Sequence, residues 1–87
     1  MTYDTKRRIL CTGVYEEVKL TKLEHKLLIC LSSGNMMTYE EMMNYLRISK
    51  NRLKILKSKL SLKTKFQLKI NAFCNIGYKL KNEIYFK

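Results

Sequence analysis

The chain has 87 residues, 18 of them Lys or Arg and seven Asp or Glu, for a formal net charge of +11; 46% of it is apolar and 29% charged. A chain of this length makes one small domain, and folding buries only about 60–65% of its unfolded surface, too thin a core for a deep, water-excluding catalytic cavity. The longest apolar run, Leu27 to Leu31, is far short of the roughly 18–20 residues of a membrane helix, and the first residues carry no signal-peptide apolar block, so a cytoplasmic protein without membrane contact is expected.

Arg8 to Thr12 and Glu16 to Leu20 are short runs around Gly13 whose residues suit a pleated sheet, and they predict a small hairpin or a pair of edge strands within residues 1–20. Thr21 then opens a helix. Its hydroxyl can cap the free N–H groups of the first turn while Glu24, three residues on, reaches back, which is the capping-box spacing. Leu20, Leu23, Leu27, Leu28 and Leu31 follow at helical intervals, and Ser32, Ser33, Gly34 and Asn35 end the run. The same box recurs at Thr38 and Glu41, opening a second helix through Met42, Met43, Tyr45 and Leu46 that stops near Arg47 and Ile48. Ser49 caps a third helix from Lys50 to about Leu60, so residues 21–60 form a three-helix core. Phe66, Leu68 and Ile70 alternate with Gln67 and Lys69, and Tyr78 and Leu80 alternate with Lys79 and Lys81 across the turn-prone Asn75, Ile76 and Gly77. That pattern predicts a hairpin over residues 66–81. No proline, linker or repeat interrupts the chain, so 1–87 is one α+β domain.

Charge divides the chain in two. Through Leu46 the cations Lys6, Arg7, Arg8, Lys19, Lys22 and Lys26 are matched by Asp4, Glu16, Glu17, Glu24, Glu40 and Glu41; from Arg47 onward every cation faces Glu83 alone. AT-rich coding raises lysine without functional demand, but it raises glutamate as well, and glutamate has not risen where the lysines gather, Glu83 standing alone. The segregation therefore marks a surface that faces a polyanion.

On a 100° wheel with Leu53 at zero, Leu56 and Leu60 fall within about 60°, giving the third helix a packing stripe. Asn51, Lys54, Ile55 and Ser58 point away from it. Lys50 and Lys57 flank the stripe on one side, Arg52 and Lys59 on the other. A helix fits the DNA major groove, where Asn pairs with adenine, Lys donates to guanine and an aliphatic side chain packs on the thymine methyl. Asn51, Lys54 and Ile55 are thus candidate base contacts, and Lys50, Arg52, Lys57, Ser58, Lys79 and Lys81 candidate phosphate contacts, which give affinity without sequence information.

The order strands, helix, helix, short turn, basic helix, hairpin is the layout of a winged helix-turn-helix. Leu20-Thr21-x-x-Glu24-x-x-Leu27-Leu28-x-x-Leu31, Thr38-x-Glu40-Glu41, Leu53-x-x-Leu56-Lys57-x-Lys59-Leu60, Ile70 and Gly77-Tyr78-Lys79-Leu80 resemble the effector domain of the OmpR/PhoB-type response regulators over about residues 17–81. The resemblance implies a transcription-regulating domain that binds double-stranded DNA, puts its third helix in the major groove and uses the hairpin as a wing. It also implies a homodimer or tandem copies on repeated half-sites. Three departures stand out. Only about twenty residues precede the first helix, so a stand-alone, shortened domain without phosphorylation control is expected. The loop between the second and third helices, which in activators of the family touches RNA polymerase, is cut to about Arg47 and Ile48, leaving polymerase contact open. At the wing the family's Arg-Gly-x-Gly-Tyr corresponds to Cys74-Asn75-Ile76-Gly77-Tyr78, so the minor-groove arginine is missing, while Asn75 can adopt the left-handed turn geometry of the replaced glycine.

Two readings of Ile55 are open. An outward aliphatic residue, where the resembled family tends to carry a base-reading arginine, points to a thymine-containing target; alternatively it tucks against the hairpin as core. His25 is expected on the surface, with no second His or Cys nearby for a metal site. Met36, Met37, Met42 and Met43 read as gap-filling core, and Tyr39, Tyr45 and Tyr78 as packing residues. Cys11, Cys30 and Cys74 read as small buried apolar groups. No catalytic residue or cofactor is assigned: the acidic residues are scattered, and Glu24 and Glu41 are used as caps. From a different functional class, the alternative is a winged-helix protein-interaction module docking an acidic partner. RNA binding is a third reading, with no aromatic platform or RNA motif to support it.

Overall fold

Both Thr-x-x-Glu spacings close as capping boxes. The chain is seen in a computed structural model that describes residues 1–13 and 16–87. Thr21 Oγ1 accepts from the Glu24 backbone N–H at 3.3 Å while the Glu24 carboxylate accepts from the Thr21 N–H at 2.8 Å, and α1 (Lys22–Leu31) follows. Thr38 and Glu41 repeat the pair at 3.1 and 3.4 Å for α2 (Tyr39–Leu46). Each box satisfies N–H groups that helix geometry leaves without partners. Arg47 ends α2 at φ 56° and ψ 48°, a left-handed conformation that costs an L-residue about 1–2 kcal/mol. That turn leaves only Arg47, Ile48 and Ser49 between α2 and α3 (Lys50–Lys63), where Ser49 Oγ accepts from the Arg52 N–H at 3.3 Å.

The third helix runs past Leu60. Ser61 and Thr64 are both buried, and the Thr64 hydroxyl donates to the carbonyls of Leu60 and Ser61, each at 3.1 Å, so Thr64 is satisfied inside a last turn that its composition does not announce. Lys65 and Phe66 then turn the chain with φ of 53° and 61°. Phe66 is exposed and lies outside any strand, so the predicted strand from Phe66 is corrected: β5 begins at Ile70 (Ile70–Phe73) and pairs antiparallel with β6 (Gly77–Leu80). Asn75 makes the connection at φ 59°, the conformation expected of it.

Two sheets complete an α+β architecture. The runs around Gly13 form β2 (Ile9–Cys11) and β3 (Glu17–Lys19), which pair antiparallel. Two strands without a sequence signal join them: β1 (Thr2–Asp4), antiparallel to β2, and β7 (Tyr85–Phe86), parallel to β1, in the order β3-β2-β1-β7. In the second sheet, β4 (Met37–Thr38) pairs with β6 on the side opposite β5. The core joins Leu27, Leu28 and Leu31 of α1, Met42 of α2, and Leu53 and Leu60 of α3 to Tyr3 and Leu10 of one sheet and Tyr78 and Leu80 of the other. Each such side chain contributes about 1.5–3 kcal/mol relative to exposure, so α3 is anchored along one stripe. None of the described helices is long and apolar enough to cross a membrane.

At Gly77 the backbones of β4 and β6 leave no room for a side chain. A Cβ there would run into the Met37 carbonyl and lie 2.8 Å from Thr38 Cα, both backbone atoms that cannot swing aside. Gly77→Ala is expected to lower stability by about 2–4 kcal/mol through loss of the β4–β6 pairing, read from the urea midpoint; an unchanged midpoint contradicts the close approach.

Candidate functional site

The stripe Leu53, Leu56 and Leu60 is buried, and Asn51, Arg52, Lys54, Ile55, Ser58 and Lys59 of α3 are exposed. The helix carries no acidic residue, so this face is cationic and polar apart from two exposed apolar side chains, Ile55 at its middle and Leu62 in its last turn. Lys50 and Lys57 flank it on the side of β6. The Lys50 ammonium lies 4.8 Å from the ring centre of Tyr39, and that of Lys57 lies 5.9 Å from the ring centre of Tyr78. The two tyrosines meet edge-on, 5.3 Å apart at 89°. Buried, then further affected by Tyr39, the Tyr78 phenol is held above its ordinary pKa and stays neutral. The pair thus gives the two lysines a π-rich rest within cation–π range.

On the opposite flank, Arg52, Ile55 and Lys59 border a hollow of about 390 Å³ shared with Leu23, Ile48 and Leu56. Ile55 is 54% exposed there, facing the start of α1, so the reading that tucks it against the hairpin is corrected. Lys79 and Lys81 are exposed as well, but strand alternation sets them apart from the α3 cluster. Tyr78 and Leu80 turn inward to the core, which sends Lys79, opposite Asn71 in register, and Lys81 to the outer face of the hairpin.

Lys63, at the end of α3, is not part of the free charge. Its ammonium donates to Glu24 Oε1 at 2.8 Å, the same oxygen that accepts from the Thr21 N–H. Burial alone would raise the Glu24 pKa; the bonds from Lys63 and Thr21 outweigh it and hold the carboxyl below its ordinary value. No sequence motif marks this pair. The available signal is a glutamate that caps α1 yet sits on its buried face.

Other expectations need correction. His25 is half-buried, hydrogen-bonded through Nδ1 to the fully buried Tyr3 hydroxyl and packed against the Tyr3 ring at 5.6 Å, whereas a surface position was expected. Burial pushes the Tyr3 phenol up to about 12. Met42 is core, and Met37 and Met43 pack against it, but Met36 is exposed. Tyr39 and Tyr78 pack as expected, while Tyr45 is exposed. Cys11 and Cys30 are half-buried, and Cys74 is exposed beside the β5–β6 turn, not buried. No protein-family model and no curated protein matches the chain.

Because the Glu24 pKa is depressed on folding, its contribution to stability is present above the unfolded carboxylate pKa and lost as pH falls through the folded one. Lys63→Ala is expected to cost about 1–2 kcal/mol at pH 7, a value discounted because Lys63 is itself 37% exposed. The gap from the parent should close as acid titrates Glu24. Urea unfolding of both proteins at neutral and acid pH checks this, and a gap that persists in acid contradicts the assignment.

Proposed function

We propose that the chain is a winged helix-turn-helix domain that binds double-stranded DNA in a sequence-specific manner and acts as a transcriptional regulator in the cytoplasm. The observation that carries this reading is the exposed face of α3, where Asn51, Arg52, Lys54, Ser58 and Lys59 stand without an acidic neighbour on their helix and Lys50 and Lys57 flank them.

An α-helix with its side chains is about 10–12 Å across and enters a major groove about 12 Å wide. In that pose the buried leucine stripe holds α3 from behind, and Asn51 and Lys54 reach base edges, Asn51 pairing with adenine N6/N7 and Lys54 donating to guanine O6/N7. Lys50 and Lys57 on one flank and Arg52 on the other meet the phosphates that wall the groove, with the Ser58 hydroxyl as a further donor. Contact with Tyr39 and Tyr78 restrains the two lysines beforehand, which lowers the entropy lost when a phosphate binds. The β5–β6 hairpin is the proposed wing, its Lys79 and Lys81 serving a backbone that passes along its outer face. Copies side by side on repeated half-sites are part of the same proposal.

A second reading, an interaction module for an acidic protein surface, is favoured by the hollow in which Leu23, Ile48, Ile55 and Leu56 are rimmed by Arg52 and Lys59, its one acidic lining residue, Glu24, being neutralised by Lys63. Salt dependence and substitution separate the two. Neutralising about five phosphates gives a log–log slope near −4.5, so a fourfold rise in salt should weaken duplex binding several-hundred-fold; a flat response contradicts DNA binding. Exchanging Asn51 and Lys54 together for alanine should abolish preference among duplex sequences while leaving non-specific affinity. Loss of an acidic protein ligand with no change toward duplexes would favour the module.

A further inference from the structure

We infer that Ile55 is a specificity-determining residue that recognises the 5-methyl group of thymine, and that with Asn51 it directs α3 to a short element containing adenine and thymine. The inference rests on the duplex binding proposed above.

Ile55 has no role in the fold that would account for it. It belongs neither to the buried core nor to the partly buried apolar residues packed on that core, and it is 54% exposed in the middle of a helix. The free-face residues within one turn of it, Asn51, Lys54, Ser58 and Lys59, are all polar or charged, and the other exposed apolar side chain of α3, Leu62, stands two turns on in the last turn of the helix. A β-branched residue is also a poorer helix former than the lysines around it, so intrinsic propensity does not favour it there.

Its surroundings define what it can meet. Arg52 and Lys59 lie on its flank and Lys50 and Lys57 on the opposite flank of the face, none with an acidic partner on α3, and Glu24, which lines the same hollow as Ile55, is taken by Lys63. Cations so placed take the phosphates on the groove walls, which leaves the group between them against the groove floor. There the base edges offer hydrogen-bond donors and acceptors and a single apolar group, the thymine methyl. A polar edge pressed on Ile55 would lose its water without a replacement partner, whereas the methyl loses nothing. The isoleucine is suited to the contact because its χ1 is nearly fixed in a helix, so its methyl groups are positioned before binding. Asn51 lies one turn earlier on the same stripe, about 6 Å along the axis, which is less than two base-pair rises of about 3.4 Å. An adenine read by Asn51 and a thymine read by Ile55 thus fall on neighbouring or next-neighbouring steps.

The test uses a duplex enriched from a random library by the full chain, its thymines replaced one at a time by deoxyuridine. That exchange removes the methyl and leaves the hydrogen-bonding edge unchanged. One replacement should weaken binding by the parent about fourfold, the worth of one buried methyl group. Ile55→Ala, which exposure and helix propensity allow to fold normally, should bind the thymine and deoxyuridine duplexes equally, with circular dichroism confirming the helix content. A parent that binds duplex with steep salt dependence yet ignores every deoxyuridine overturns the methyl recognition alone. An Ile55→Ala protein as sensitive to deoxyuridine as the parent overturns the role of Ile55. Failure to enrich or bind any duplex overturns the DNA-binding reading and this inference together.

Discussion

One carboxylate oxygen ties the beginning of α1 to the end of α3. Glu24 Oε1 accepts from the Thr21 backbone N–H and from the Lys63 ammonium, both at 2.8 Å, in a residue only 4% exposed. A buried ion pair adds little net stability, because desolvation offsets most of its attraction; what it restricts is geometry. With Lys63 pinned and Leu53, Leu56 and Leu60 sunk in the core, α3 cannot roll, and the stripe opposite those leucines is held outward. The bond also consumes a cation: Lys63 belongs to the structure, and the free charge of α3 lies in its first ten residues.

The helices were legible in the sequence because their signals are local. A capping box needs four residues and a leucine stripe needs three turns, and both work by contacts that the chain makes with itself nearby. The edge strands were not. β1 and β7 are two or three residues long and pair across nearly the whole chain, so no window of sequence holds both partners, and Tyr3 looks like any aromatic residue near an N-terminus until β2 and His25 close over it. β4 has the same difficulty in milder form. Phe66 shows the opposite error. Alternation with Leu68 and Ile70 imitates a strand, yet two consecutive left-handed residues break it, and neither Lys65 nor Phe66 is a type that announces such a turn.

At the site, the outward set Asn51, Lys54, Ile55 and Ser58 was legible because a helix wheel requires only that the leucines be buried. The direction of the flanks was not, since it depends on what stands beside α3: Tyr39 and Tyr78 on one side, Leu23 and Ile48 on the other. Those neighbours come from three separate parts of the chain. They turn a symmetric pair of cationic edges into two different surfaces, one with lysines resting on aromatic rings and one with an open apolar hollow. Lys79 and Lys81, read from the sequence as phosphate contacts on the hairpin and not on α3, are exposed, and strand alternation sends them to its outer face.

The central claim is that the free face of α3 is the surface that meets DNA. Titrating a duplex of mixed sequence into isotopically labelled protein and following backbone amide resonances tests it most directly. The account predicts perturbations concentrated in Lys50 to Lys59, with a weaker set at Lys79 and Lys81 and little change in α2 or at the β7 edge. Perturbations confined to the N-terminal sheet or to α2, with α3 unmoved, would contradict it.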